Sequence, residues 1–362
     1  MSLPVIADLR VRAVDAPLDP PLRNSLNTIA RAPLVIVDLR TRCGAAGTAY
    51  VFPYTPAALG PTAALARSLG AGLLGRPLAP ATLWREMHDA ARLLGTEGLM
   101  EIALAALDMA MWDALAVRAG LPLCELLGGE ARPVPIYASL RGWGAAMLAE
   151  EEGRAVATLG ARFVKFKLGA ARLEDDLATV RAVRAAVGEG VGLLVDYNQA
   201  LSLPEAERRG RALEALEVRW LEEPLPVQDD AGLAELARRL AMPVQGGENW
   251  WGPAAMHRAL AAGAVDLCMP DAMKIGGVTG WLRAAALAAA HRVPMSSHIF
   301  VEASVHLLNV TPTAHLLEHL DIAAPLLAEP LRVADGMALV PDRPGLGILW
   351  DEAALAKHAA DV

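Results

Sequence analysis

Apolar and polar residues alternate along "VIADLRVRAV" (5–14) and "APLVIVDLRTRCGAAGTAYVFPY" (32–54), and turn-rich sequence separates the two. A period of two predicts antiparallel strands on a half-solvated sheet. From Thr55 to about Ala119 the period lengthens to that of Ala/Leu helices, predicted near 56–75, 81–93 and 98–119, with Gly120 and Pro122 as the stop. The first hundred or so residues therefore read as an α+β segment.

After "GGEARPVPIYAS" the pattern changes. Short β-rich runs, "PVPIYAS", "FVKFKLG", "GLLVDYNQ", "VRWLEEPL", "PVQGGEN", "VDLCMPDAMK" and "VPMSSHIF", alternate with Ala/Leu/Arg helices of ten to twenty residues. Such alternation predicts βαβ units around a parallel sheet. Polar residues close the runs at a steady step: Lys167, Asp196, Glu222, Glu248, Asp271, His298 and Glu318 are 29, 26, 26, 23, 27 and 20 residues apart. That is the cadence of a (β/α)₈ barrel of the TIM type. An open doubly wound sheet alternates too, but it would spread these groups along an edge, whereas a barrel gathers all the strand ends into one mouth. The tail beyond about residue 330 leaves the cadence and is expected to pack back on the N-terminal segment.

The barrel reading gives the polar residues a chemistry. Asp196, Glu222 and Glu248 at consecutive strand ends would be close together, and like charges that close call for a shared cation. An all-oxygen set without His or Cys suits a hard divalent ion, most simply Mg²⁺. Strand period points Lys165 and Lys167 to one side, with Phe163, while Val164, Phe166 and Leu168 face the packing helices. Two neighbouring cations lower each other's proton affinity, which would make one of them a neutral base; the competing reading is a pair of ion pairs to the metal carboxylates. His298 and Asp271 on adjacent strands form a possible second base, the carboxylate fixing the ring tautomer. Glu318 could protonate or hydrogen-bond an oxyanion, unless it is an exposed helical Glu.

Composition narrows the partners. The net charge is −8 with no basic cluster, so there is no footprint for nucleic acid. The longest uncharged run, Cys43 to Ala66, is broken by three prolines, and the N-terminus meets Asp8 and Arg10 too early for a secretory signal, which predicts a cytoplasmic protein without a membrane span. Three scattered cysteines without CxxC or Cys/His spacing argue against a disulfide framework and a zinc site. "KIGGVTGW" matches neither a dinucleotide nor a P-loop fingerprint, and a tight turn explains its glycines.

Taken together, "VKFK", "VDYNQ", "WLEEP", "GENWWGP", "MPDAMKIGGVTGW", "PMSSH" and "TPTAHLLEHLD" resemble the mandelate racemase branch of the enolase superfamily, over nearly the full length. "APLVIVDL", "FPYTP" and "LDMAMWDAL" extend the resemblance through the N-terminal part. The resemblance implies a modified (β/α)₈ barrel (131–330) under an α+β capping domain (1–130, with the return at about 330–362). It implies Mg²⁺ held by Asp196, Glu222 and Glu248, and abstraction of the proton α to the carboxylate of a small substrate through a metal-stabilised enolate. Lys167 would be one base, and His298, paired with Asp271, the base on the opposite face. Lys165 and Ser139 would hold carboxylate oxygen, a protonated Glu318 would be the electrophilic acid, and Asn198 would lie near the substrate oxygens. A homo-oligomer, an octamer by resemblance, is implied as well. The muconate-lactonizing branch has a lysine base five residues before the GG pair; here that position is Asp271, so Lys274 is expected to be structural.

The pocket wall bears on substrate. By resemblance the flap over the mouth is "PLRNSLNTIARAPL", and Leu22, Leu26 and Ile29 with Phe52, Tyr54, Leu93, Ile299 and Leu320 would form an apolar wall. That favours racemisation of an apolar or aryl 2-hydroxy acid. Arg23, Asn24, Asn27 and Arg31 depart from the racemase pattern and could bind sugar hydroxyls or merely face solvent; acid-sugar dehydration to a 2-keto-3-deoxy acid is the alternative.

Overall fold

The computed structural model describes residues 3–143 and 146–362, so the first two residues of the capping segment and positions 144–145 of the barrel segment lie outside it. A three-stranded antiparallel sheet opens the chain, with β1 Ile6–Arg23, β2 Thr28–Thr41 and β3 Ala46–Val51 in that order. Helices α1 Pro56–Ala71, α2 Pro80–Ala90 and α3 Leu99–Ala119 follow at the expected places. β3 lies directly on α3: a Cβ on Gly47 would sit 2.3 Å from the Ala110 carbonyl oxygen. Only glycine permits that approach. α3 is apolar on almost every side because it is sandwiched, with the sheet on one face and the barrel on the other.

After the short α4 Leu123–Leu126, the barrel staves run β4 Val134–Ser139, β5 Phe163–Lys167, β6 Gly192–Asp196, β7 Val218–Glu222, β8 Val244–Gly246 and β9 Leu267–Cys268, each parallel to the next. β10 Leu317–His319 pairs in parallel with β4 and closes the ring. The intervening helices are α5 Ala146–Ala157, α6 Leu173–Val187, α7 Leu203–Glu214, α8 Asp230–Arg239, α9 Gly252–Ala262, α10 Gly277–His291 and α11 Val301–Leu308. The run "VPMSSHIF" departs from expectation. It forms isolated bridges, Met295 to Cys268 and Ala314 and His298 to Asp271, rather than a strand. Pro294 has no N–H to give, and Ile299 and Phe300 take φ of 35° and 46°, so regular pairing cannot extend past His298.

An apolar plug fills the barrel: Tyr137, Leu194, Trp220 and Leu316, with Phe163 and Leu267 against them. Two residues further along four of those staves stand Ser139, Asp196, Glu222 and Glu318, and two beyond Phe163 stands Lys165. With a side-chain period of two, the polar site is the layer directly above the plug.

Two of the contacts that join cap to barrel lie at the start of α10. Asp108 of α3 accepts from the Thr279 amide (2.9 Å) and hydroxyl (2.6 Å), capping the α10 N-terminus from another domain. Trp84 of α2 donates to the Gly276 carbonyl at 2.8 Å. The tail contributes a hairpin, β11 Val333–Ala334 and β12 Met337–Ala338, which pairs with β4, and then α12 Glu352–Lys357. Its later residues bind the cap: the Leu346 amide donates to Asp113, the Trp350 indole to Thr48 at 2.9 Å, and the Ala360 amide to Ala13 at 2.9 Å. No helix among the described residues is long and apolar enough to cross a membrane.

Candidate active site

Asp196, Glu222 and Glu248 end β6, end β7 and follow β8, and each offers an oxygen within 4.8 Å of the other two. All three are buried. Burial first, then the neighbouring Glu248, pushes the Asp196 carboxyl up in spite of Lys165 and Lys167. Glu222 is raised for the same reasons, burial leading and Asp196 and Glu248 adding to it. Glu248, by contrast, is lowered: burial would raise it, but His298, Lys165 and Lys274 outweigh that. Three crowded, desolvated carboxylates are a set that a shared cation relieves, and their all-oxygen chemistry fits Mg²⁺.

Lys165 lies at the centre of the polar layer, 2.5 Å from Glu222 and 2.8 Å from Glu318. Burial alone would strip its proton, but Glu222 and Glu318 reverse that and hold it well above the ordinary lysine value. Of the two lysines, Lys165 is the one paired with carboxylates, as the competing reading of ion pairs would have it. Lys167 differs: its Nζ has only the Leu140 carbonyl at 3.4 Å, and no carboxylate partner among the described residues.

His298 is buried with Nδ1 2.6 Å from Asp271 and Nε2 3.2 Å from Glu248. Asp271 also accepts from the Met273 amide, so the dyad acid is anchored at both oxygens. Burial opposes a proton on His298; Glu248, Asp271 and Glu318 outweigh it and raise the ring above its usual value. Glu318 is in β10 and buried, not on an exposed helix. Burial would raise it, yet Lys165 and His298 pull it well below the carboxylate range. The buried Lys165 ammonium in contact with it opposes the protonated form that the resemblance implies for Glu318.

These groups share a cavity of about 380 Å³, lined by Lys165, Lys167, Asp196, Asn198, Glu248, His298 and Glu318 from the barrel and by Leu22, Arg23, Asn24, Asn27, Ile29, Phe52 and Tyr54 from the cap. Ile299, Leu320 and Ile322 complete the wall. Ser139, in register with Lys165, is buried with an unpartnered hydroxyl and lines the adjoining cavity, which shares Arg23 and Leu320 with the first. Asn198 takes φ 44° and turns back on Asp196 through both its backbone and side-chain nitrogens.

Three flap and wall expectations are corrected. Leu26 is 66% exposed and Leu93 fully exposed, and neither lines the cavity. The Asn24 side chain accepts from the Leu26 and Asn27 amides, and this turn directs Leu26 outward. Leu93 falls in the turns after α2 rather than on its buried face. Arg31 is taken up by Asp15 and leaves the mouth to Arg23.

Sequence reasoning missed Glu223 and Asn249. Strict alternation after Glu222 would turn Glu223 outward, but φ of 36° keeps it inside, where Asn249 donates to it at 2.7 Å. Asn249 also reaches Glu248 at 3.3 Å and accepts from Lys274 at 2.6 Å. Lys274 in turn lies 4.6 Å from the Tyr54 ring centroid. The doublet in "WLEEP" was the available signal, and a positive φ before Pro224 is not something it announces.

Residues 6–128 match the family model for the mandelate racemase / muconate lactonizing enzyme N-terminal domain, and residues 147–354 match the enolase C-terminal domain-like model. The chain belongs to the enolase superfamily, in its mandelate racemase-like branch. Relatives of this enolase-superfamily enzyme include the L-talarate/galactarate dehydratase of Salmonella typhimurium strain LT2, 32% identical over 89% of this chain and 81% of that one. The 3,6-anhydro-alpha-L-galactonate cycloisomerase of Streptomyces coelicolor is 32% identical over 90% of this chain and 91% of its own. Among solved structures, a Bradyrhizobium enolase crystallised with magnesium and mandelic acid superposes over 100% of both chains, with a TM-score of 0.95 and 45% identity.

Proposed function

We propose that the protein removes the proton α to the carboxylate of an acid sugar and expels the β-hydroxyl, giving a 2-keto-3-deoxy acid. The supporting observation is that one cavity holds the acid–base groups of the barrel together with Arg23, Asn24 and Asn27 of the flap, an apolar wall interrupted by hydrogen-bonding side chains. The dehydratase and cycloisomerase relatives support the same reading over racemisation.

Lys167, the lysine without a carboxylate partner, takes the α-proton. His298 stands across the cavity with Asp271 behind it, an arrangement that steadies an imidazolium and suits it to hand a proton to the departing hydroxyl. The electron pair left at Cα forms the C2–C3 double bond as the C3–O bond breaks, and the enol collapses to the ketone. Lys165 and the Ser139 hydroxyl hold the substrate carboxylate, Glu318 keeps Lys165 charged, and Asn198 keeps Asp196 oriented. Leu22, Ile29 and Tyr54 shut the cavity from water. Mg²⁺ on Asp196, Glu222 and Glu248, as magnesium accompanies the Bradyrhizobium neighbour, would supply the positive charge that makes so weak an α-proton acidic.

Racemisation of an aryl 2-hydroxy acid is the second reading. The apolar stretch Leu22, Ile29, Phe52, Ile299, Leu320 and Ile322, and the mandelic acid of the Bradyrhizobium structure, favour it. Incubation with Mg²⁺ in D₂O, with acid sugars and aryl hydroxy acids as separate substrates and NMR as the readout, decides. We expect a 2-keto-3-deoxy product; deuterium at Cα with loss of optical activity and no keto acid would favour the racemase instead.

A further inference from the structure

Asp176 is on α6, outside the cavity, and its side chain is 2% exposed. Every lone pair it has is used. Oδ1 accepts from the amides of Gly169 (3.1 Å) and Ala170 (2.9 Å), the residues that follow Lys167 as the chain leaves β5. Oδ2 accepts from the hydroxyl of Tyr197 at 3.0 Å and from the guanidinium of Arg209. Tyr197 directly follows Asp196. One carboxylate therefore ties together the exits of the two staves that end in the base and in a metal ligand. Arg209 completes the knot: it donates to the Ala170 carbonyl at 2.9 Å, and its guanidinium lies 5.9 Å from the Tyr197 ring centroid. The two staves are already in register at the critical pair, Lys167 beside Asp196, with the Leu168 amide donating to the Asp196 carbonyl at 2.9 Å. The same loop seats the flap. Gly169 has φ 129°, and a Cβ there would fall 2.9 Å from the Ser25 side chain.

We propose that Asp176 is a positioning residue for the α-proton transfer, setting the Lys167 amine and the Asp196 carboxylate relative to each other through Gly169–Ala170 and Tyr197. This rests on the reading of Lys167 as a base. A carboxylate that merely caps α6 and satisfies a loop would need only the two amides; the Tyr197 bond, which reaches across to the next stave, is what a cap does not require. Removing that bond loosens the strand end bearing Asp196 while the loop amides and Arg209 remain served. Outer partners of metal ligands typically alter metal affinity by 10- to 100-fold.

Tyr197→Phe and Asp176→Asn test it, with two readouts. Titration calorimetry with Mg²⁺ alone reports on Asp196 and needs no turnover: we expect Tyr197→Phe to raise the Mg²⁺ Kd about 10-fold at an unchanged circular dichroism spectrum. Deuterium uptake at C2 from D₂O reports on Lys167: Asp176→Asn, at an unchanged circular dichroism spectrum, should slow it about 10-fold or more. Folded variants with the wild-type Mg²⁺ Kd and the wild-type rate of C2 exchange would overturn the proposal. If Asp176→Asn does not fold, the Mg²⁺ titration of Tyr197→Phe decides alone. Wild-type protein that exchanges no α-proton would count against the proposed function, and the metal titration would still judge Asp176 and Tyr197.

Discussion

Removing the Lys165 ammonium would leave Glu222 and Glu318, at 2.5 and 2.8 Å, buried without their cation. Breaking a buried pair in this way costs about 3–5 kcal/mol. Lys165→Met should therefore melt well below wild type, and by less in millimolar Mg²⁺, since a divalent ion at Glu222 restores part of the missing charge; an equal loss with and without Mg²⁺ would contradict the carboxylate trio as its seat. His298→Asn keeps a polar side chain beside Asp271 but has no second ring nitrogen. Formation of the keto acid should fall about 10²-fold or more, as for loss of a general acid, while deuterium exchange at C2 through Lys167 persists. Equal loss of both would speak against His298 as the acid that serves the leaving hydroxyl. At this scale much was legible, because strand alternation sorts Phe163, Lys165 and Lys167 onto one face without any knowledge of the fold. What alternation cannot convey is environment. Nothing in "FVKFK" says that Lys165 is clamped by two acids and Lys167 by none, since those acids come from staves 57 and 153 residues further on.

Helices α3 and α10 meet at Asp108, and that contact gives the protein a pH dependence remote from the cavity. Burial raises the Asp108 carboxyl to about 7, opposed by the Thr279 hydrogen bonds and by His88. Its unfolded value is near 4, so the folded state binds a proton more tightly than the unfolded one. The stability this confers is present in full below about pH 4 and is lost as pH rises through 7. Asp108→Asn, which can still accept from the Thr279 amide, removes that dependence. Its stability relative to wild type should rise by up to about 4 kcal/mol between pH 4 and pH 8, read from urea midpoints; a constant difference across that range would show that Asp108 stays ionised in the fold. The helices themselves were legible from Ala/Leu periodicity and their Gly and Pro stops. The stave at 294–298 was not, because its β-rich composition says nothing of the positive φ at Ile299 and Phe300 that cuts it short.

The whole molecule depends on how closely the cap's layers approach each other. Gly47→Ala would place a methyl 2.3 Å from backbone atoms of Ala110 and Ala114, which cannot rotate away as a side chain could. Overpacking of this kind costs about 1–3 kcal/mol or more, so the variant should lose several degrees of Tm; an unchanged Tm would mean that sheet and helix have slack between them. The barrel was visible in the cadence of strand-end residues, because each βα unit must contribute one group to a common mouth. The limits of the cavity were not: Leu26 and Leu93 sit in apolar contexts like those of Leu22 and Ile29, and only the turn at Asn24 and the end of α2 determine that they face outward. The wall over the cavity is drawn largely from the first 55 residues, through Leu22, Arg23, Asn27, Ile29, Phe52 and Tyr54, while the acids and bases belong to the barrel. A substitution in the flap therefore reshapes the wall that a bound molecule meets and leaves every acid and base of the barrel in place.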